Sequence, residues 1–554
     1  MKGSIEKLDR ALMERVSVRI LFSLLIPLAC LRASLACFDI RYQTNDDATF
    51  ANIAFGAYGS DNLHMIHPEL LFSLMLRPLY SISPDLNWYV ILQLFLAVVS
   101  VAAVIYVFEK NAGLRGLFAS CALAIPFSVH IFYYFQFTKI SALCISAGLI
   151  LIADCFDGFT FGTVLGILLC LAGSSLRFES FIMAGALSSM VLLCRFFASD
   201  RTVRIKAATH MAVLFAVVFG AHLIDGVSYS MDPEWKQFRD YHKSRIEFSD
   251  FKVYLLDEND NPFRNDGVSD TDYELLMSWD YYDPARFTPR LLNELSDKTP
   301  PKAIDRTLSD TFATAKSLIR GDSFRYAFML ILLVGLFVTF LSFEGIFFAL
   351  TYCVFLALLF YLHYRARFPL WVQAAMLMSV TIYGAYLLLR SSRSRKIPYV
   401  CYARLTLLLC VLTVPTLLRA SRDSEIYHDW TVSKQESFEA MSRDKDNIYI
   451  ISVENLDALA GYDVWHPRSR DFFSNIVVYG GMLSASPYMT EPLDKYSMTR
   501  PLIDGIDRSD VFYDGVGIER NERYILEQTG AETEFIKSSD SLLAPYNIRT
   551  KQNK

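Results

Sequence analysis

The 554-residue sequence has no Cys-x-x-Cys pair, no internal repeat, no low-complexity linker and no excess of basic residues. Its ten cysteines are scattered, most of them within apolar segments, which argues against a zinc site or a disulfide framework. Lysine and arginine number 53 against 58 aspartates and glutamates, for a net charge of −5. That balance argues against nucleic acid as a partner.

Apolar residues, in contrast, are abundant. They make up 53% of the chain, a composition that soluble proteins of this size rarely have. Runs of about 20 apolar residues predict roughly eleven transmembrane helices. The predicted spans are 16–38, 88–108, 114–134, 140–155, 160–175, 179–197, 207–224, 325–343, 345–363, 369–390 and 399–418. The predicted class is an α-helical polytopic membrane protein.

Basic residues in the short loops predict the orientation of the chain. The leader 1–15, the loop at Lys110 and Arg115, and the stretches "RFFASDRTVRIK" and "RSSRSRK" all fall on one side of the membrane in this topology. By the positive-inside rule that side is the cytoplasm. The N-terminus is therefore predicted to be cytoplasmic, and the C-terminal tail extracytoplasmic.

The predicted organisation has five parts. The cytoplasmic leader 1–15 is followed by an N-terminal transmembrane module, 16–224, whose first outer loop is 39–87. An extracytoplasmic insert at 225–324 and a second transmembrane module at 325–418 come next. The tail 419–554 alternates strand-like runs such as "NIYIISV" and "NIVVYGG" with helical stretches, which predicts a small extracytoplasmic α/β domain.

Adjacent acids follow the first span at a short distance. In "RYQTNDDATFANIAFG", Asp46 and Asp47 come about eight residues after the span and are predicted to lie at the outer headgroup level. One carboxylate could act as a general base or bind a cation while the other orients a neighbour. The alternative is that Asn45, Asp46 or Asp47 caps the following helix. The two interpretations are compatible.

Several arginines lie at the outer ends of other spans. The arginine guanidinium can form bidentate hydrogen bonds to phosphate oxygens, and ionisable residues at the ends of spans are functional candidates. The alternative is structural pairing or snorkelling, for example between Arg177 and Glu179. His64 and His67 are more typical of surface histidines than of metal ligands. The candidates on the outer side are Arg177 with Glu179, Arg365 and Arg367 with His363 and Tyr364, and Arg245.

These features together resemble the GT-C superfamily of integral membrane glycosyltransferases. The resemblance lies in the acidic pair of "NDDATF" after the first span, about a dozen spans and an outer C-terminal domain. It also extends to uncharacterised bacterial membrane proteins that combine "NDD" with "AYG", "NWY" and an outer Arg-x-Glu. The resemblance implies a multi-pass protein of the bacterial plasma (inner) membrane.

For activity, the resemblance implies an inverting transfer of a sugar from a polyprenyl-phosphate-linked donor, on the outer face, to a glycan or other cell-envelope acceptor. Asp46 or Asp47 would activate the acceptor or bind a divalent cation such as Mg²⁺ or Mn²⁺. Arg177, Arg365 and Arg367 are assigned to the donor phosphate from topology. Membrane lipids are further expected partners.

Two other classes remain open at this stage. One is a polymerase, flippase or transporter of surface polysaccharide, for which the acidic pair would not be required. The other is a non-catalytic membrane scaffold whose acids are helix caps. Substituting the acids separates these classes, because only the transferase would lose a specific product.

Overall fold

A computed structural model describes residues 2–59, 63–281, 283–299, 316, 322–365, 367–456, 464–466, 468–538 and 543–551. Each of the eleven predicted spans falls on a helix, which confirms the predicted α-helical polytopic class. Within the described residues, nine helices are long and apolar enough to cross a membrane. The predicted spans near 160–175 and 325–343 are shorter apolar helices of 16 and 17 residues.

Among the described residues, seventeen α-helices precede the C-terminal region. In the first half they are α1 (Lys2–Glu14), α2 (Val16–Cys37), α3 (Asn45–Phe55), α4 (Leu70–Ile82), α5 (Trp88–Ala112), α6 (Leu114–Ser128), α7 (Phe137–Asp154), α8 (Phe161–Leu176), α9 (Phe178–Phe197) and α10 (Arg201–Met231). They continue with α11 (Pro233–Arg245), α12 (Asp270–Met277), α13 (Pro289–Lys298), α14 (Ser323–Thr339), α15 (Phe343–Tyr364), α16 (Leu370–Arg390) and α17 (Tyr399–Arg443).

Two helices extend beyond the predicted boundaries. The chain predicted to start the insert at 225 is still part of α10, and α17 continues 25 residues past the predicted domain start at 419. The apolar window marks only the membrane part of such a helix, because the polar continuation carries no hydropathy signal. Parts of the predicted insert, at 300–315 and 317–321, lie outside the described residues.

Helix α7 lies at the centre of the bundle. Every one of its residues is buried, and it packs against α5, α8, α9 and α16. Glycines permit its contact with α8, since a Cβ added at Gly148 would lie 2.4 Å from the Gly166 carbonyl oxygen. Small residues at such crossings let two backbones approach closely within a membrane. The N-terminus of α7 is thereby fixed in position.

The C-terminal region forms the predicted α/β unit. Its elements are β3 (Ile448–Ser452), β4 (Ile476–Tyr479), α18 (Pro487–Lys495), α19 (Pro501–Asp504), β5 (Val511–Tyr513), α20 (Ile518–Thr529), β6 (Thr533–Lys537) and β7 (Tyr546–Thr550). The strand order is β4-β3-β5-β7-β6. β3 pairs parallel with β4 and β5, whereas β7 pairs antiparallel with β5 and β6. The prediction of a small C-terminal α/β domain is therefore confirmed.

Buried ion pairs join the segment between α12 and α13 to this domain. Asp283 accepts hydrogen bonds from Arg500 at 2.6 Å and from the Tyr524 hydroxyl at 2.6 Å. Asp280 pairs with Arg520 at 2.5 Å. Because these carboxylates are shielded from water, the pairs require the two segments to stay together. This segment and the C-terminal domain therefore form one packed unit.

Candidate active site

The two adjacent acids face different surroundings. Asp46 and Asp47 are the second and third residues of α3, and Thr44 is its N-cap. Successive side chains on an α-helix point about 100° apart, so the two carboxylates diverge. The N-cap is thus Thr44 and not Asn45, Asp46 or Asp47, as the alternative interpretation predicted, but both acids lie in the first turn, where the helix dipole favours them.

Asp47 joins α3 to the central helix. Its side chain is fully buried and accepts hydrogen bonds from the Tyr89 hydroxyl at 2.8 Å and from the backbone N–H of Phe137 at 3.1 Å. Phe137 is the first residue of α7, whose N–H has no partner within its own helix. Asp47 is thus a cap for α7, supplied from another helix.

A short strand pair holds the chain before α3 in place. β1 (Arg41–Tyr42) pairs parallel with β2 (Tyr134–Phe135), the segment that directly precedes α7. The N–H of Gln43 also donates to the Phe135 carbonyl at 2.7 Å. These bonds place the start of α3 beside the start of α7.

Asp46 faces positive charge. Burial raises the pKa of its carboxyl group, and the charges of Arg177, Arg367 and Arg245 oppose that rise, whereas Asp250 adds to it. Among the described residues, no donor lies within hydrogen-bonding distance of the Asp46 carboxylate. The sequence predicts all three arginines on the outer side, and in the structure the charge of each one acts on the Asp46 carboxyl group.

Arg177 is positioned by α7. It is the single residue between α8 and α9, and its extended backbone lets the side chain point toward the start of α7. There its guanidinium donates to the Thr138 hydroxyl at 3.0 Å and lies 5.2 Å from the centre of the Phe137 ring. Glu179 pairs with it loosely, at 3.5 Å. The predicted Arg177–Glu179 pairing is present, but it leaves most guanidinium donors unused.

The remaining arginines are held by two acids of one turn. A π-helical turn, Ile246–Lys252, follows α11 and carries Glu247 and Asp250. Arg365 donates to Glu247 at 3.2 Å, and Arg367 donates to Asp250 at 3.2 Å. Arg245 lies 3.7 Å from the other oxygen of Asp250. We refer to Arg177, Arg245, Arg365 and Arg367 as the arginine cluster.

A cavity of about 720 Å³ opens beside this cluster. Glu179 and Glu247, the pairing partners of Arg177 and Arg365, line it together with His67 and His242. We call it the acidic cavity, because five carboxylates line it. They belong to Glu69, Glu179, Asp225, Asp240 and Glu247.

His67 connects the cavity electrostatically to Asp46. Burial and the charge of Arg177 lower the pKa of His67 to about 4, and Asp250 and Arg245 also act on it. These three residues also act on Asp46. The sequence favours a surface histidine at this position; in the structure His67 is only partly exposed, and its ring packs against Phe137 and His242. An amphipathic stretch does not reveal that an insert distant in sequence covers its polar face.

Three predicted supporting residues are less closely tied to this site. Asn45 is the first residue of α3 and is partly exposed. His363 lies in the last turn of α15. Tyr364 is 42% exposed and stacks on Phe360 at 6.4 Å, on the outside of its helix. Their predicted roles stay predictions.

The donor set around the acidic pair does not fit one shared cation. The oxygens of Asp47 accept hydrogen bonds from Tyr89 and Phe137, and the charges of three arginines that act on Asp46 would also oppose a metal ion there. In the part of the chain that the structure describes, no three His, Cys, Asp or Glu side chains converge as a metal site would require. A divalent cation, and its placement at Asp46 and Asp47, stay predictions.

Comparison with known proteins gives similarity at the level of the fold. No family model and no curated protein matches the sequence. Two solved structures of ArnT from Cupriavidus metallidurans, one in the apo state and one bound to undecaprenyl phosphate, each match 95% of this chain and 97% of theirs. The sequence identities are 11% and 13%, and both TM-scores are 0.39. A likeness of this size carries no argument about activity.

Glu247 and Asp250, which hold three members of the arginine cluster, were missed by sequence reasoning. They stand three residues apart in "RIEFSDFK", a spacing that puts two side chains on one face of a helical turn. Arg245 directly precedes them. A pair of acids after a basic residue is a weak indication of a binding site. The role of Glu247 and Asp250 becomes evident only when the structure shows that they pair with Arg365 and Arg367.

Proposed function

We propose that this protein is a membrane glycosyltransferase that moves a sugar from a polyprenyl-phosphate-linked donor to a cell-envelope acceptor on the outer face of the membrane. The observation that carries the proposal is the placement of Asp46 among Arg177, Arg245 and Arg367, beside a cavity large enough for a sugar. A partly buried carboxylate and a set of phosphate-binding cations are the two parts that such a transfer requires.

In the proposed reaction, Asp46 accepts the proton of the acceptor hydroxyl. The hydroxyl oxygen forms a bond to the anomeric carbon of the sugar, and the bond from that carbon to the phosphate oxygen breaks. The electron pair of the broken bond stays with the lipid phosphate, which leaves as an anion. Attack opposite to the leaving phosphate inverts the configuration at the anomeric carbon.

The arginine cluster stabilises that leaving anion. Guanidinium groups are always charged and carry five N–H donors, so one group can hold a carboxylate and still bind a phosphate oxygen. Arg365 and Arg367 are in this position, since each pairs with an acid while 33% and 28% of its side chain stays exposed. Charge that develops on the phosphate in the transition state is then met by fixed positive groups.

Burial of Asp46 supports its role as base. A carboxylate removed from water has a raised pKa and so holds a proton more strongly, which favours removal of a proton from a hydroxyl. Asp47 is a positioning residue in this proposal, because its bond to the N–H of Phe137 keeps the start of α3 beside the start of α7.

The membrane location agrees with such a donor. Arg177 joins the ends of two apolar helices, and Arg365 directly follows α15, one of the nine membrane-spanning candidates. The phosphate of a lipid-linked sugar lies at the headgroup level, the same height as these helix ends. The positive-inside pattern of the loops supports the outer face of a bacterial plasma membrane.

The test compares cells that express the wild type with cells that express Asp46→Asn, at matched protein levels. Mass spectrometry of the cell envelope and of the lipid-linked sugars is the readout. The proposal expects one glycan modification to disappear and its lipid-linked precursor to accumulate. Glu258→Gln, an exposed acid on the insert, is the matched control and is expected to behave as the wild type.

An unchanged envelope from a normally folded Asp46→Asn protein would contradict the proposal and favour a transporter or scaffold. A lost modification without precursor accumulation would also contradict it, because a blocked transfer must leave its donor unused.

A further inference from the structure

A second cavity lies between the first outer loop and the C-terminal domain. It has a volume of about 460 Å³ and is enclosed by the last turn of α3, by α4 and by Arg470. Arg77 and Arg470 supply positive charge, and Ser73, Tyr80 and Ser81 supply hydroxyl groups. Most of the remaining wall is apolar. We call it the α4 cavity.

The two cavities have opposite electrostatic character. They are separated by the segment before α4, in which Met65 lines the α4 cavity and the next residue, Ile66, lines the acidic cavity. Five carboxylates line the acidic cavity, whereas none of the described residues that line the α4 cavity is acidic. Arg239 and Lys243 offset part of the negative charge of the acidic cavity, but its carboxylates outnumber them, so an anion is favoured more in the α4 cavity than in the acidic one.

Ser73 supplies an independent indication of a ligand. Its side chain is only 5% exposed, and its hydroxyl has no hydrogen-bond partner among the described residues. A buried hydroxyl without a partner is costly. The oxygen is shielded in the observed rotamer, and rotation of the Ser73 side chain would bring it to an acceptor oxygen bound in the cavity that Ser73 lines. Arg77 differs, because its side chain is exposed; its guanidinium forms no ion pair or hydrogen bond within the described part of the chain, so its donors are available to a ligand.

The surroundings of the cavity indicate a membrane lipid. α4 exposes the side chains of Leu74, Met75 and Ile82, by 46%, 36% and 78%. A short helix with exposed apolar side chains and an arginine is typical of an element that lies in the bilayer interface. The long apolar span α5 starts six residues after α4 ends. The cavity is thus at the height of the lipid headgroups.

We propose that the α4 cavity binds the phosphate group of a membrane lipid, held by Arg77, Arg470 and Ser73, with the lipid chain against its apolar wall. This site is separate from the arginine cluster around Asp46, and the proposal does not depend on the proposed transferase activity. The proposal gives Arg77 of α4 a role in phosphate binding, and no sequence motif indicates that role.

The test measures lipid retention by the purified full chain in detergent, by native mass spectrometry. Dioleoyl phosphatidic acid is the probe, and dioleoylglycerol is the matched lipid without phosphate. Arg77→Gln and Arg470→Gln are each expected to weaken phosphatidic acid binding by about tenfold or more, since each removes a charge-assisted hydrogen bond. Arg290→Gln is the control, because Arg290 is an exposed arginine outside both cavities.

Ser73→Ala keeps the test valid if the arginine variants fold poorly. Removing a hydroxyl that has no partner is expected to leave the thermal unfolding midpoint unchanged or higher, while phosphatidic acid binds more weakly. Equal retention of both lipids by the wild type, or unchanged retention by all three variants, would overturn the proposal. Inorganic phosphate is the second arm: if it competes as strongly as the lipid, the ligand is free phosphate and the lipid assignment is wrong.

Discussion

Asp47→Ala is expected to destabilise the protein strongly, although the proposed chemistry belongs to its neighbour. The substitution removes the acceptor of two fully buried donors, the Tyr89 hydroxyl and the Phe137 N–H. Each donor left without an acceptor costs about 1–3 kcal/mol, so the expected loss in free energy of unfolding is about 2–6 kcal/mol. A loss of this size is a large fraction of the stability of a typical domain.

Asp47→Asn is the comparison that gives this prediction its specificity. The amide oxygen of asparagine can accept the same two hydrogen bonds, so its loss of stability is expected to be less than half that of alanine. The assay is denaturant unfolding of the purified protein in detergent, with wild type and both variants side by side. Equal stability of Asp47→Ala and wild type would refute the assignment of Asp47 as the cap of α7.

Three further predictions concern the charged groups. Arg365→Gln is expected to raise the KM for the lipid-linked donor more than it lowers kcat, because the phosphate is anionic before and during the reaction. Glu247→Gln removes the acid that pairs with Arg365 and is expected to leave the KM equal or lower. Steady-state kinetics in which both variants changed the KM alike would contradict this prediction. Because the oxygens of Asp47 accept hydrogen bonds and arginine charges act on Asp46, we expect transfer in a purified assay to persist with a divalent-metal chelator; loss of activity that Mg²⁺ or Mn²⁺ restores would contradict this and support the predicted cation. Burial raises the pKa of Asp280 from 3.8 to about 7, although the charge of Arg520 opposes the rise. Between about pH 4 and pH 7 the unfolded chain therefore loses this proton more readily than the native protein, and stability is expected to fall as pH rises through that range. Asp280→Asn is expected to flatten the pH dependence of unfolding there, and an unaltered profile would count against it.

Most of the membrane fold could be predicted from the sequence, because hydropathy directly reports which segments avoid water. All eleven predicted spans are helices. The errors lie at the ends, where α10 and α17 continue as polar helices that have no apolar signal. The strands "NIYIISV" and "NIVVYGG" were identifiable for a similar reason, since short β-branched runs between turn residues are typical of buried parallel strands.

The candidate site could be predicted only as a list of residue types. Topology put Asp46, Arg177 and Arg367 on one side of the membrane, but it could not show that they lie around one carboxylate. The partners Glu247 and Asp250 belong to an insert distant in sequence, so no local pattern relates them to Arg365 or Arg367. The sequence also could not show that Asp46 and Asp47 differ in role. That difference depends on tertiary neighbours, which are Tyr89 and Phe137 for Asp47 and arginine charges for Asp46.

The central claim is that Asp46 and the arginine cluster form one site for a lipid-linked phosphate. The most direct measurement is the affinity of the purified full chain for a polyprenyl phosphate, compared among wild type, Arg177→Gln and Asp46→Asn. Our account predicts weaker binding by Arg177→Gln, which loses a phosphate-binding cation. It predicts equal or tighter binding by Asp46→Asn, which loses a negative charge beside the phosphate, although this variant no longer supports transfer in cells. Unchanged affinity in Arg177→Gln, or lost affinity in a folded Asp46→Asn protein, would contradict the account.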